Sequence, residues 1–175
     1  MFPEDVSAHH FDKICAWVRS WFHVLPLDEA VCRLQANSLP SRAMSITFDD
    51  GYADNEEIAA PILARYGLTA TFFVAVGYIG GGRMWNDTLI ESIRRAPSTS
   101  IDFDNIDGLS ALGRLSLVDV TERRAAAVAV IDAVKYLPSG RRDELAQQVA
   151  RRSGACLPDD LMMSPAQVRS LRTFG

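Results

Sequence analysis

Cysteine is scarce in this chain, lysine scarcer, and long apolar runs are absent. The three cysteines, Cys15, Cys32 and Cys156, are odd in number and none stands at C-x-x-C spacing. That excludes a disulfide framework and a cysteine zinc site, and leaves the expectation of buried, reduced thiols. No stretch approaches the roughly 18 uncharged apolar residues of a membrane span. The start, Met1-Phe2-Pro3-Glu4-Asp5, has no basic segment followed by an apolar one. A signal peptide is therefore not visible, and a cytoplasmic location is the expectation. Eighteen basic against 22 acidic side chains give a net charge of −4, which offers no attraction to nucleic acid or to an anionic membrane. Sixteen of the 18 basic residues are arginine, and pairs such as Arg94-Arg95 and Arg123-Arg124 read as solvated helix faces. There is no internal repeat and no low-complexity tract.

What is there suits a soluble α/β protein. The 175 residues, 48% hydrophobic and 23% charged, fit one domain or one domain with an appendage, and exclude wholesale disorder. Phe11, Ile14, Cys15, Val18, Trp21 and Phe22 form one stripe, so 8–22 reads as an amphipathic helix. A second helix is expected over 28–35, with Asp28 as N-cap and Ala30, Val31 and Leu34 inward. Ala43 to Phe48 is the strongest strand signal, and it stops at the turn chemistry of Asp49-Asp50-Gly51. A helix over 54–66 follows, with Ile58, Ala59, Ile62 and Leu63 on one side and Pro61 as an irregularity. Leu68 to Val76 reads as a strand buried on both faces, so 43–76 spells a β-α-β unit. Further on, helices are expected over 86–95, over 121–136 with Thr121 as N-cap, over 141–152 after a Pro138-Ser139-Gly140 break, and over 165–172 behind Ser164-Pro165. Short β-like pieces fall at 101–103 and 115–117. Only two strands are convincing, too few to close a barrel or cover a sheet, so the sequence reads as the front part of a larger domain.

Thr47-Phe48-Asp49-Asp50-Gly51 is the chemical centre. The C-terminal ends of parallel strands are where α/β folds put their sites. Two adjacent carboxylates repel, and a cation is the natural compensation, with one group binding it and the other free as a base. The competing reading makes both aspartates turn and cap residues before the 54–66 helix. Paired aspartates also suit another metal-dependent α/β hydrolase or a phosphatase. Gly80-Gly81-Gly82 reads as a flexible loop, since it lacks the pattern of a phosphate-binding turn. Trp85 and Tyr52 could each contact a sugar ring, against the simpler reading of packing.

Ser45 to Asn55, Ala60-Pro61-Ile62-Leu63, and Tyr66 to Val74 together resemble the polysaccharide deacetylase family (NodB-homology, carbohydrate esterase family 4). There T-F-D-D-G is the first motif and A-T-F-F-V the following strand. Met84-Trp85-Asn86-Asp87 and residues 157–175 resemble a bacterial subgroup associated with exopolysaccharide loci. The resemblance implies the N-terminal portion of a distorted (β/α) barrel, with 1–40 as a helical lead-in and 41–175 as the front of the deacetylase domain. It implies hydrolysis of N-acetyl, or sometimes O-acetyl, groups on a polysaccharide or its precursor. Asp49 is then the catalytic base, Asp50 a ligand of a divalent metal, usually zinc, and Tyr52 and Trp85 are substrate contacts. The family's second motif, H-[ST]-x-x-H, is missing: His9, His10 and His23 are the chain's only histidines, and none has a partner four residues away. The later arginine and histidine motifs are missing as well. The alternative expectation is thus a catalytically inactive fragment, or a binding module, with poor affinity for metal.

Overall fold

The structure is a computed structural model that describes residues 6–172. Those residues divide into two compact units, 6–82 with 160–172, and 83–159. In the first unit, α1 (Ala8–Trp21) starts where the Ser7 hydroxyl accepts the His10 backbone N–H. Its Phe11, Cys15 and Val18 pack on Ile62, Leu63 and Leu68. β1 (His23–Val24), α2 (Leu27–Gln35) and β2 (Ala43–Met44) follow, and β1 runs parallel to β2. β3 (Thr47–Phe48) then pairs in parallel with β4 (Thr71–Phe72), Phe48 opposite Phe72. The two phenyl rings stack at 5.0 Å, and Phe11 meets Phe48 edge-on at 5.9 Å. These aromatic contacts tie the strand pair to α1. Between the strands lie a π-helical turn, Asn55–Ala59, and α3 (Ala60–Arg65).

The second unit opens with α4 (Trp85–Arg94), continues through the antiparallel hairpin of β5 (Ser100–Asp102) and β6 (Arg114–Ser116), and ends in α5 (Val120–Val134) and α6 (Ser139–Ser153). Leu89, Ile93, Phe103, Leu109, Leu117, Val130, Leu145 and Val149 form its fully buried core. Back in the first unit, α7 (Pro165–Leu171) is opened by a reciprocal cap between Ser164 and Gln167, and packs Leu171 with Ala60 and Met163.

Several expectations need correction. The 43–48 strand is two short pieces that pair with different partners, β2 with β1 and β3 with β4. The 68–76 strand shrinks to Thr71–Phe72, and it is not buried on both faces, since Phe73 is 51% and Val76 79% exposed. The 54–66 helix begins as a π turn that accommodates Pro61 in the first turn of α3, and this winding leaves Ile58 exposed while Ala59, Ile62 and Leu63 stay buried. Pro26, not Asp28, occupies the N-cap position of α2, with no side-chain cap, and Asp119, not Thr121, caps α5 with its carboxylate on the Glu122 N–H. Ser139 and Gly140 are the first turn of α6 rather than a break, because Pro138 precedes the helix. Cys15 alone is a buried thiol; Cys32 and Cys156 are exposed. Nor are the arginine pairs merely solvated. Arg94 and Arg95 both bind Glu91, and the Arg123 guanidinium donates to the carbonyls of Ile93, Arg94 and Ala96 at the end of α4. Three two-stranded sheets are present, with no closed barrel among the described residues. No helix there is long and apolar enough to cross a membrane.

Candidate functional site

The β3–β4 ladder runs past its formal strand ends into the acidic pair. Phe73 N–H donates to the Phe48 carbonyl at 2.8 Å, and Ala75 N–H to the Asp50 carbonyl at 2.9 Å. Asp49 is therefore held in near-strand register opposite Phe73, and strand alternation puts it on the face shared with Thr47 and Thr71. Asp50 leaves that alternation, since its φ is +70° and that of Gly51 is +87°. Two successive left-handed residues turn the chain sharply at the C-terminal end of β3. The second must be glycine for a further reason: a Cβ there would lie 2.7 Å from Val74 Cγ1.

A strap from the far end of the sequence holds this turn. Met163 N–H donates to the Gly51 carbonyl and Ala53 N–H to the Leu161 carbonyl, at 3.0 and 2.8 Å. Tyr52 bridges Met162 in antiparallel fashion and is half-buried. Sequence reasoning missed this brace; the Leu161-Met162-Met163-Ser164 run was its visible signal. It also missed Asn55, which is buried at the head of the π turn with no partner for its Nδ2 among the described residues.

Asp49 and Asp50 are both exposed, and neither carboxylate has a hydrogen-bond or ion-pair partner among the described residues. Burial of its carboxyl group pushes Asp54 above the usual carboxylate range, partly offset by the Asn55 N–H, although the residue as a whole is exposed. The turn thus presents free carboxylates able to accept a proton from water or to ligate a cation.

The other candidates lie elsewhere. Trp85 opens α4 in the 83–159 unit, where the Arg142 guanidinium sits 4.7 Å over its ring. His9 and His10 are exposed on α1, and His23 Nδ1 is 2.9 Å from the Ser41 carbonyl oxygen. Among the described residues no three His, Cys, Asp or Glu side chains come close enough together to hold a metal ion. Asp49 and Asp50 on their own do not make the three-ligand set that a catalytic zinc needs.

Comparison with known proteins agrees with the position of this turn. Residues 36–101 match the family model for polysaccharide deacetylase. A 77-residue stretch is 36% identical to the protein named "Putative polysaccharide deacetylase YxkH" from Bacillus subtilis (strain 168), covering 43% of this chain and 28% of that relative. The chain thus spans under a third of the relative's length. No solved structure matches it.

Proposed function

We propose that this chain, whose residues 36–101 match the polysaccharide deacetylase model, is a partial member of that family and that its acidic turn serves the hydrolysis of acetyl groups on a polysaccharide or its precursor. The observation that carries this reading is the pair of exposed, unpartnered carboxylates at the C-terminal end of a parallel strand pair, in the family's T-F-D-D-G motif. In the proposal Asp49 is the general base. Its carboxylate accepts a proton from the water that attacks the acyl carbon; the acyl–nitrogen or acyl–oxygen bond then breaks, releasing acetate and the free amine or hydroxyl. A carboxylate with no ion-pair partner among the described residues is free to take that proton. Asp50, turned out of the strand by its left-handed backbone, is the proposed metal-binding carboxylate. A divalent ion such as zinc would need further donors that the described residues do not bring there, so no step is assigned to it. Tyr52, fixed beside the turn by its bridge to Met162, is the proposed substrate contact. The proposed parent fold is a (β/α) barrel.

A second reading has its own support. It rests on the missing H-[ST]-x-x-H motif: without those histidines the chain would be a binding module that retains the acidic turn but not hydrolysis. One experiment separates the two: acetate release from an acetylated chito-oligosaccharide with zinc in excess, alongside calorimetric binding of the same oligosaccharide. Under the first reading, Asp49→Asn lowers release by roughly 100- to 10,000-fold while binding persists. Binding without any release by the unmodified chain selects the second, and neither release nor binding rejects both.

A further inference from the structure

A cavity of about 450 Å³ opens on the 83–159 unit, between α6 and the loop that follows β5. That volume falls in the range of small-molecule sites. Gln148, Arg151 and Arg152 line it from α6, at i, i+3 and i+4, so one face of the helix carries all three. Asn105 and Ile106 line it from the loop. Ile106 is buried in the core of the unit, which gives the cavity a fixed apolar floor. The other four lining side chains are two cations and two amides, and none is acidic. In a chain with 22 acidic and 18 basic residues, that lining is a local reversal of charge.

We infer that this cavity binds a small anionic ligand, whose carboxylate or phosphate group is held by Arg151 and Arg152 and whose body lies on Ile106. Arg152 Nε donates to the Asp102 carbonyl at 3.0 Å, a bond that runs from α6 to the end of β5. It fixes the guanidinium while using one of its five N–H donors, so the forked end is left for an oxyanion. Arg151 has no hydrogen-bond or ion-pair partner among the described residues. The neighbouring carboxylates are already engaged. Arg141 holds both Asp107 and Glu144 at 2.7 Å, and Asp102 Oδ1 accepts the Asp104 N–H at 2.9 Å. Cations in a last helical turn commonly just complement the helix dipole. Here the Arg152 bond goes to a different element, and the negative helix end amounts to about half a charge against two full positive ones. An uncharged sugar is the poorer occupant, because no aromatic ring lines the cavity. Nucleic acid is poorer still, since two cations in a chain of net charge −4 cannot track a backbone of phosphates.

The test is a titration of the full, nitrogen-15-labelled chain at low salt, followed by its backbone amide shifts. Inorganic phosphate and glucuronate are the probes, and glucose is the uncharged control. Either anion should shift the amides of Ile106, Arg151 and Arg152 with a Kd of roughly 0.1–1 mM. The tighter of the two tells whether phosphate or carboxylate is the preferred group. Arg151→Gln and Arg152→Gln should each weaken binding roughly tenfold or more, as loss of a charge-assisted hydrogen bond does. Arg152→Gln also gives up the bond to Asp102; Arg151→Gln has no such bond to lose, so it tests the site even if the first variant unfolds. Arg19→Gln removes the same charge from an exposed position on α1 and should leave the Kd unchanged. The inference is overturned if neither anion shifts these amides, or if glucose shifts them equally. It is also overturned if Arg19→Gln weakens binding as much as Arg151→Gln, since the effect would then be one of net charge.

Discussion

Gly51 is the residue whose replacement the acidic turn tolerates least. Gly51→Ala has to accommodate both a φ of +87° and a contact of 2.7 Å with Val74. Overpacking and left-handed strain together should cost about 2–4 kcal/mol, read as a lower urea midpoint. In the other unit Glu91 offers a pH-dependent test. Burial pushes its carboxyl group up, but the hydrogen bonds and charges of Arg94 and Arg95 outweigh burial and hold it below its ordinary value. A carboxylate held low stabilises the fold above its unfolded pKa, near 4.3, and that contribution fades as pH falls through and below this value. The loss of stability between pH 7 and pH 3 should therefore be smaller in Glu91→Gln than in the parent, with the variant the less stable at pH 7. The sequence alone located Asp49 and Asp50 at a strand end, because turn chemistry follows an apolar β-branched run. It could not reveal that Asp50 turns left-handed, or that the Leu161-Met162-Met163-Ser164 run braces Gly51 across more than a hundred residues, since a local run does not name its distant partner.

Helices were legible from sequence and strands much less so. Three- and four-residue spacing located α1, but it merged two faces into one stripe: Phe11, Cys15 and Val18 pack inward, whereas Ile14, Trp21 and Phe22 are exposed. Strand extent depends on what pairs, and Leu68 to Val76 reads as one long strand although only Thr71–Phe72 pairs as a strand. Pro61 flagged an irregular helix, and the π turn beside it is the form that irregularity takes. The cap of α7 was also legible, as serine before proline. Ser164→Ala removes the acceptor for the Gln167 N–H and should lower stability by about 1 kcal/mol, measured by denaturant titration. A loss well beyond that would mean Ser164 does more than cap.

At the scale of the whole molecule, the 83–159 unit has a core of its own, centred on Phe103, Leu117, Val130 and Leu145. Expressed alone, residues 83–159 should unfold cooperatively in urea, and Phe103→Ala should cost it about 3–5 kcal/mol. A gradual, non-cooperative melt would show that the unit depends on the rest of the chain. Composition gave no hint of this division, because both units mix helix and short strand in similar proportion. The chain departs from the first unit after Gly82 and rejoins it at Asp160, and those two residues pair as a β-bridge, with the Gly82 carbonyl also accepting the Leu161 and Met162 N–H groups. Just beyond them the Arg83 guanidinium donates to the Pro158 carbonyl. Under tension applied at residues 6 and 172, the load would run through this clasp and bypass all 77 residues it encloses, so their extension should register as a separate, later event once the bridge has opened.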